Sequence, residues 1–256
     1  MIFKRYGCRR DLRDPRDHEF RLKVPALIHT LPPAVDLRPW YPPIMDQGDL
    51  GSCTANAITG ALRWHIITMG GKPDKPLSRL QLYYDERVIE STVAEDAGAE
   101  IRTGIKCVKR NGVAYEELWD YIPKAFKQKP PDLLYKSTQL FGSLQYERLS
   151  VSAVALKVAL AAGFPVVIGI SLFDSFESEE VEKTGIVPMP DIENEGMVGG
   201  HAMCAVGYGQ KPGCFTVANS WSENWGDGGY CYVPEKYLGS PKFGSDYWVI
   251  RNVTTG

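Results

Sequence analysis

The sequence predicts an α+β fold of two lobes, in which a helical part is followed by a β-rich part. From Ser52 to about residue 111, apolar residues recur at the spacing of helices. From about residue 164 onwards, short runs rich in Val, Ile, Tyr and Phe are separated by Gly or Pro, which is typical of strands. Because the two patterns occupy separate parts of the chain, we expect a helical lobe over about residues 46–140 and a β-rich lobe over about 141–250.

Three helices are predicted in the first lobe. The first begins near Ser52, whose hydroxyl can cap it, and it ends at the Gly- and Pro-containing residues 70–73. Its many small residues indicate that neighbouring elements approach it closely, so we expect it to be deeply buried. The second helix is predicted over about residues 77–91 and the third over about 101–111.

The second lobe is predicted to open with a helix over residues 151–162 and to continue with strands. The predicted strands share a high content of β-branched and aromatic residues, and they lie at residues 164–173, 201–208, 214–221, 229–233 and 246–253. The segment 174–195 departs from this pattern, because it carries eight acidic groups against one Lys, a net charge of −7.

The composition excludes several classes of protein. With 256 residues, 44% of them hydrophobic and 23% charged, the chain is typical of a globular protein rather than a disordered one. A formal charge of −2 gives no general attraction to nucleic acid or to an anionic membrane, and no run of 18 apolar residues predicts a transmembrane helix. The six cysteines contain no CxxC pair, so we expect no disulfide scaffold, no metal and no cofactor.

Residues 1–30 have the character of an arm rather than a domain, because they lack a sustained apolar period. They carry eight basic and four acidic groups, a net charge of +4, so the remaining residues 31–256 carry 21 − 27 = −6. No apolar signal-peptide core follows the N-terminus, so we expect a cytoplasmic protein or one exported by a route without a classical signal peptide. We expect a monomer.

Cys53 is the candidate nucleophile. It lies where the glycine-rich turn of residues 47–52 enters the first predicted helix. Backbone donors and the positive end of the helix dipole favour a thiolate at such a position. The alternative is a buried structural cysteine, which is common in proteins.

A thiolate nucleophile commonly works with an imidazole base, and the chain has four histidines. His65 lies on the same helix as Cys53 and about 18 Å away by helix rise, which excludes it as the base. His18 and His29 lie in the polar arm, where a solvated surface position is expected. His201 follows two glycines at the start of an apolar strand, which favours its presentation to a cleft; a buried core histidine is the alternative.

An imidazole base also needs an orienting partner, and Asn219 is the candidate. It lies near the end of the next predicted strand and can accept a hydrogen bond from the imidazole without adding a buried charge. Trp221, two residues later, can shield that hydrogen bond from water. The alternative is that these residues form only a turn with an aromatic anchor.

Three short motifs in a fixed order resemble the papain-like cysteine peptidases. They are the run from Gln47 to Cys53, the Gly200-His201-Ala202 sequence, and the Asn219-Ser220-Trp221 sequence. The segment from Val35 to Arg38 is similar to the N-terminal segment of the mature family members. The resemblance covers about residues 31–250 and defines a peptidase domain of 31–256.

The resemblance implies a papain-like two-lobed fold, with a helical lobe, an antiparallel β-barrel-like lobe and the active site in the cleft between them. It implies that Cys53 is the nucleophile, that His201 is the general base and acid, and that Asn219 orients the imidazole. Gln47 resembles the side-chain donor of the oxyanion hole. The implied reaction is hydrolysis of peptide bonds in a peptide or protein substrate through a thioester acyl-enzyme.

The resemblance also suggests residues that contact the substrate. Gly98 and Ala99 are similar to the short extended segment that pairs with the substrate backbone. Gly200 and Trp221 lie beside the implied base and are assigned to the same substrate-binding group. Trp221 resembles the indole that covers the His–Asn pair.

The chain departs from the family pattern at three positions. Leu50 replaces a half-cystine, Thr54 replaces an aromatic residue, and Gly200 stands where many members have Asp or Asn. The loss of the half-cystine points away from the secreted, disulfide-bonded branch. The cysteines outside the implied site are then expected to be free thiols, with a Cys214–Cys231 bridge as an alternative; they are Cys8, Cys107, Cys204, Cys214 and Cys231.

Two questions stay open at this level. The same Cys–His–Asn machinery can serve an amidase, a deamidase or an acyl transferase, or the chain can be a non-catalytic peptide-binding homologue. Residues 1–30 are interpreted as a short pro-segment of a zymogen that lies near or across the cleft, because their charge of +4 complements the acidic segment 174–195. The alternative for the arm is a solvated tail.

Overall fold

The structure is a computed structural model that describes residues 6–20, 31–69, 75–138 and 144–251. The α-helices within these residues are α1 (Cys53–Thr68), α2 (Arg79–Ile89), α3 (Ile101–Asn111), α4 (Asp132–Lys136), α5 (Ala153–Ala161), α6 (Glu179–Thr184) and α7 (Glu235–Leu238). The strands are β1 (Cys8–Arg9), β2 (Val35–Asp36), β3 (Ala99–Glu100), β4 (Gln145–Leu149), β5 (Val166–Phe173), β6 (Met197–Tyr208), β7 (Cys214–Ala218), β8 (Tyr230–Pro234) and β9 (Gly244–Arg251).

The helices α1, α2 and α3 confirm the three that the sequence predicts. α1 is buried along its first thirteen residues and packs against β6. Its small side chains therefore allow β6 to approach the helix closely, as expected. Ser52 occupies the N-cap of α1, but its hydroxyl bonds to the Tyr121 hydroxyl and to Asn56 instead of capping the helix. Ser78 does cap α2, because its oxygen accepts from the Gln81 backbone N–H at 3.3 Å. The predicted end of α1 at residues 70–73 lies outside the described residues.

The β-rich lobe is one seven-stranded antiparallel sheet in the order β4-β9-β5-β6-β7-β8, with β2 paired to β6. β5 is buried along its whole length, and β6 becomes buried from His201 onwards. The path of described strands is open rather than closed into a barrel. Because α1 packs against β5 and β6, the N-terminus of α1 lies near the middle of β6. The predicted α+β class is therefore confirmed, and it sets two lobes against each other.

The observed secondary structure of the β-rich lobe differs from the prediction mainly in three places. β6 begins at Met197 because residues 197–200 continue the pairing with β5. β4 was not predicted, since its sequence Gln-Tyr-Glu-Arg-Leu is largely polar and charged, and it becomes a strand by pairing with β9. The acidic segment 174–195 is partly helical, because Phe176 and Val181 are buried and anchor a 3-10 turn and α6.

All six cysteines are free, as expected for the five outside the candidate site. The alternative Cys214–Cys231 bridge is excluded by the register of β7 and β8. Cys214 lies opposite Pro234, whereas Cys231 lies opposite Val217. In the ranges that the structure describes, no helix has the length and apolar character needed to cross a membrane.

His65 is a buried structural residue, in agreement with its exclusion as the base. Its Nε2 donates to the Ile250 carbonyl at 2.7 Å, which ties α1 to β9. Burial lowers the pKa of His65 from 6.5 to about 4, and the hydrogen bond to Ile250 offsets only part of this effect.

We expect His65 to make the fold less stable as the pH falls. Because the pKa is lower in the folded state than the ordinary 6.5, the unfolded chain binds a proton that the folded chain excludes between pH 6.5 and about 4. The free energy of unfolding should therefore fall by about 2–3 kcal/mol across this window on account of His65. Chemical denaturation at several pH values should show this slope in the wild type and a shallower slope in His65→Gln. An unchanged slope in His65→Gln would contradict the assignment.

Candidate active site

Cys53 is the first residue of α1, where the helix meets the β-rich lobe. Its side chain is fully buried, and its thiol accepts hydrogen bonds from the backbone N–H groups of Ala202 and Gly7. Ala202 directly follows His201 on β6. The fold therefore brings the candidate nucleophile to the candidate base, although 148 residues (201 − 53) separate them in the sequence.

His201 lies on β6 opposite Ile170 of β5 and is fully buried. Its Nε2 is 2.8 Å from Oδ1 of Asn219, just beyond the end of β7. The same Oδ1 accepts from the Ser220 backbone N–H at 2.8 Å, which identifies it as the carbonyl oxygen of the amide. Nε2 of His201 is therefore the nitrogen that carries a proton in this bond, and Nδ1 is the nitrogen that can take up a proton.

An aromatic cluster holds the imidazole from one side. The Trp221 indole stacks on His201 with ring centres 5.0 Å apart and planes 29° apart. Trp225 and Phe176 pack edge-on against Trp221 at 5.0 and 5.7 Å. The sequence did not indicate Phe176 as part of the site, because it lies among acidic residues, where a buried aromatic side chain is not expected. The cluster excludes water from the His201–Asn219 hydrogen bond.

Gln47 is fully buried and fixed at both ends of its amide. Its Nε2 donates to the Leu50 carbonyl at 2.9 Å, and its Oε1 accepts from the Ser220 hydroxyl at 2.6 Å. The Gln47 backbone N–H also donates to the Ser220 carbonyl at 2.9 Å. Ser220 thus links the amide of Gln47 to that of Asn219. The sequence motif contained Ser220, but nothing in the motif indicated this link.

A buried carboxyl group lies behind the candidate nucleophile. The Thr54 hydroxyl donates to Oε2 of Glu86 at 2.8 Å, so α2 holds the residue that follows Cys53. Burial raises the pKa of Glu86 well above its ordinary value. Gly104 on α3 leaves room for this carboxyl group, because a Cβ at residue 104 would overlap Oε1 of Glu86. The presence of Thr54, unusual for the resembled family, is explained by this bond.

The arm lies across the candidate cleft. β1 of the arm pairs in parallel with β3, with Cys8 opposite Ala99, and the Ala99 N–H donates to the Gly7 carbonyl at 2.7 Å. Gly7 is wedged between Gly51 and Gly98, since a Cβ at residue 7 would overlap the Gly51 carbonyl group. The segment that was predicted to pair with a substrate backbone is therefore occupied by the chain itself.

The arm also contacts the β6 side of the cleft. The Tyr6 ring lies 6.0 Å from His201 and 6.1 Å from Trp221, measured between ring centres. The Cys8 carbonyl lies directly over Gly200, where a Cβ would overlap it. This contact gives a reason for Gly200: an Asp or Asn side chain, frequent in the resembled family at this position, would collide with the arm.

The charges that hold the arm differ from those expected. Basic residues of the arm were expected to contact the acidic segment 174–195. Among the described residues, the hydrogen bond found between the two segments runs from the Tyr6 hydroxyl to Glu177. Arg9 pairs instead with Glu90, which directly follows α2. The other close contacts use acidic groups of the arm, Asp11 and Asp17, against arginines of the body. The net charge of the arm was therefore a poor guide to its partners.

The electrostatic state of Cys53 also differs from expectation. A cysteine at a helix start was expected to have a lowered pKa, but burial beneath the arm raises the pKa of Cys53 to about 11. The hydrogen bonds from Ala202 and Gly7 lower it by less than burial raises it. With the arm in place, the thiol is neutral at physiological pH.

The structure thus brings together Cys53, His201, Asn219, Gln47 and Trp221, and it places Gly98, Ala99 and Gly200 along the arm. Within the described ranges, no group of three or more His, Cys, Asp or Glu side chains has the geometry to hold a metal ion. The arrangement provides a thiol, an imidazole held in one tautomer, and an amide fixed beside them. Such a set of groups can form and release a covalent acyl intermediate.

Comparison with known proteins adds an independent finding. The sequence model of the papain family cysteine proteases matches residues 31–238. An uncharacterized peptidase C1-like protein of Acanthamoeba polyphaga mimivirus is 43% identical over 218 residues, which cover 82% of this chain and 70% of that protein. Cathepsin K of Mus musculus is 26% identical over 222 residues, which cover 83% of this chain and 62% of that protein.

Solved structures are similar over most of the chain. Xylellain, a cysteine protease from Xylella fastidiosa, is 34% identical with a TM-score of 0.86, and the alignment covers 99% of this chain and 100% of that one. Procathepsin L 3 from the larval midgut of Tenebrio molitor is 21% identical with a TM-score of 0.66, covering 91% and 75% of the two chains. The second likeness concerns the fold alone.

Proposed function

The chain belongs to the papain family of cysteine proteases, and we propose that it cleaves peptide bonds through a Cys53–His201–Asn219 triad and a thioester acyl-enzyme. The observation that supports this most directly is the position of the Cys53 thiol against the backbone at Ala202, beside an imidazole whose Nε2 is held by Asn219. A thiol, a base in a fixed tautomer and an orienting amide are the groups that such a reaction needs.

In the proposed reaction, Nδ1 of His201 takes the proton of the Cys53 thiol. The thiolate attacks the carbonyl carbon of the substrate, and a C–S bond forms as the carbonyl π electrons move onto oxygen. Nε2 of Gln47 and the Cys53 backbone N–H donate to this oxyanion. His201 then gives its proton to the leaving amine as the C–N bond breaks, which leaves a thioester. Water, deprotonated by His201, attacks the carbonyl carbon of the thioester and forms a C–O bond. The C–S bond then breaks, the carboxylic acid product leaves, and the proton held by His201 returns to sulfur and restores the thiol.

Analysis of reaction products tests the bond that is cleaved. We expect a chain whose arm is displaced from the cleft by Gly7→Leu to release new α-amino and carboxyl ends from unmodified peptides in the absence of any added amine. Isopeptides, side-chain amides and a mixture of peptide with a nucleophilic amine serve as the comparison substrates. Exclusive turnover of one of these would favour an amidase, a deamidase or an acyl transferase and would contradict the proposal.

We also propose that the arm is an intramolecular pro-segment. Its residues 6–9 occupy the β3 edge, contact His201 through Tyr6 and bury the Cys53 thiol. A substrate needs the same edge and the same thiol, so the docked arm and a bound substrate exclude each other. Burial adds a second effect, because a neutral thiol with a raised pKa is a poor nucleophile.

Replacing Gly7 with leucine should uncover the site. The new side chain has no space against the Gly51 carbonyl group, so β1 must leave β3. We expect the Cys53 thiol to react about tenfold to a hundredfold faster with a thiol-reactive epoxide, and peptide hydrolysis to rise in parallel. Arg13→Leu is the matched control, because Arg13 is an exposed arm residue. Equal labelling rates in both variants and the wild type would refute the role of the arm.

A further inference from the structure

We propose that the surface beneath arm residues 11–20 is a docking site for acidic peptide segments, separate from the peptide-bond cleft. The site consists of Arg102, Arg148 and Trp248, and it is called the docking groove below. Its ligand is a peptide with two carboxylates six residues apart and a turn between them, as in Asp11 and Asp17 of the arm, where the Asp17 N–H donates to the Asp14 carbonyl at 3.1 Å. The inference rests on the proposed function only in that the docked peptide extends into the proposed cleft.

Asp11 is the more deeply held of the two carboxylates and is 9% exposed. Its Oδ2 accepts from the Trp248 indole N–H at 2.7 Å, and its Oδ1 accepts from the Arg102 backbone N–H at 3.2 Å. The second bond caps α3, whose own N-cap residue Glu100 makes no side-chain cap. The guanidinium of Arg148 lies 3.7 Å away. A helix N-terminus, an indole donor and an arginine thus surround the Asp11 carboxyl group, with Asp246 as an acidic neighbour.

Asp17 binds the two arginines together. Its carboxylate is 2.9 Å from Nη1 of Arg102 and 3.1 Å from Nη1 of Arg148. The Arg102 side chain is buried by this contact and also donates to the Leu12 carbonyl. Arg148 makes a further pair with Asp246 of β9. The docking groove therefore binds two carboxylates and one intervening backbone carbonyl of the same peptide.

The backbone of the arm is recognised as well. The Arg148 N–H donates to the His18 carbonyl at 2.7 Å, and the Phe20 N–H donates to the Arg148 carbonyl at 2.8 Å. Residues 18–20 thus extend the sheet in parallel at β4, which lies at the end of the strand order. Addition of a strand supplies binding that does not depend on side chains, while the carboxylate contacts supply selectivity.

An empty groove would leave strong donors without acceptors. The Trp248 indole N–H, the Arg102 backbone N–H and the Nη1 groups of Arg102 and Arg148 direct hydrogen bonds to the arm, whereas Nη2 of Arg148 pairs with Asp246 of the body. Buried donors that lose a charged acceptor cost more than neutral pairs, so an acidic peptide is the occupant that restores them. Asp11 lies four residues after Gly7 (11 − 7), so a peptide bound in the groove leads into the cleft.

The binding should depend on pH because of Asp11. Burial and the neighbouring Asp246 raise the pKa of Asp11 to about 7, against the lowering effects of Trp248, Arg102 and Arg148. These groups face Asp11 from β9, α3 and β4, and Cys8 faces it from the arm itself. A free peptide has the ordinary value of 3.8, so docking takes up a proton between pH 4 and 7. Affinity should weaken as the pH rises through this window, by at most about tenfold per pH unit, and level off above it.

A labelled peptide of residues 6–20 tests the groove by fluorescence anisotropy, without any need for catalysis. The receptor is the full-length chain with its own arm weakened by Gly7→Leu, Asp11→Ala and Asp17→Ala, and with Cys53→Ala to prevent cleavage. The control peptide exchanges Asp11 with Leu12 and Asp17 with His18, which keeps composition and net charge. We expect the native peptide to bind at least about tenfold more tightly than the control peptide.

Two receptor variants assign that preference to the groove. Arg102→Ala and Arg148→Ala, each checked for folding by thermal unfolding, should each reduce the difference between the two peptides to less than about threefold. Equal binding of the two peptides by the parent receptor, or no binding of either, would overturn the proposal. If the native peptide binds as expected but the Gly7→Leu chain, whose arm has left the cleft, cleaves no peptide, the docking groove stands and the proposed peptidase reaction fails.

Discussion

A Cys53→Ala chain should hydrolyse peptides about 10⁶-fold more slowly than its parent. The proposed reaction forms its covalent bond at this sulfur, so alanine removes the atom that attacks the substrate. Alanine fits the buried position at the start of α1 at little cost in stability, because it removes only a weak sulfur acceptor of the Ala202, Gly7 and Thr54 backbone N–H groups. The loss should therefore appear in kcat and not in the free energy of unfolding.

The measurement is best made in the Gly7→Leu background, so that the docked arm does not mask the change. Initial rates and epoxide labelling are compared for Cys53→Ala and for Cys214→Ala, which alters a half-buried cysteine on β7. Labelling should disappear in the first variant and persist in the second. Hydrolysis that survives in Cys53→Ala would exclude this residue as the nucleophile.

A Gln47→Ala chain should lose about 10²–10³-fold in kcat, with little change in KM. The amide is proposed to donate to the oxyanion, whose charge exists only after the carbonyl has been attacked. The bonds of Gln47 to Leu50 and Ser220 fix the amide before the substrate arrives, so little reorganisation is needed during the reaction. A donor aimed in advance at a developing charge acts on the transition state more than on the bound substrate.

A matched amide separates this effect from a general loss of packing. Gln210 is half-buried in the turn after β6 and bonds to the Val35 carbonyl, so Gln210→Ala removes an amide outside the cleft. We expect normal kcat in that variant and similar thermal unfolding in both. A fall of less than tenfold in kcat for a well-folded Gln47→Ala chain would contradict the proposed role of Gln47 and indicate that other donors stabilise the oxyanion.

Local sequence signals were enough to predict most of the helices in the helical lobe. The predicted limits of α3, residues 101–111, coincide with the observed ones, because Gly112 adopts a φ of 69° that favours glycine and ends the helix. The same local logic identified Cys53 at a helix start and His201 after two glycines. The side chains at these positions do not depend on distant partners for their secondary structure.

Contacts between residues far apart in the sequence could not be predicted from local sequence patterns. The Thr54–Glu86 bond joins two helices, and an acidic residue in α2 gave no sign of being buried. The interaction of Asp11 with Trp248 joins the two ends of the chain. Net charge suggested the right place for the arm but the wrong partners, because a few buried acid–arginine contacts outweigh the many exposed charges that salt screens.

The distance in sequence between Asp11 and Trp248, 237 residues, has a consequence for the order of events during synthesis. The ribosome makes the arm first, yet the anchor of the arm is in β9, which inserts between β4 and β5. Contacts of such high sequence separation form late in folding. A nascent chain therefore cannot bury the Cys53 thiol beneath the arm until the centre of the sheet has assembled, so a buried thiol indicates that the β-rich lobe has folded correctly.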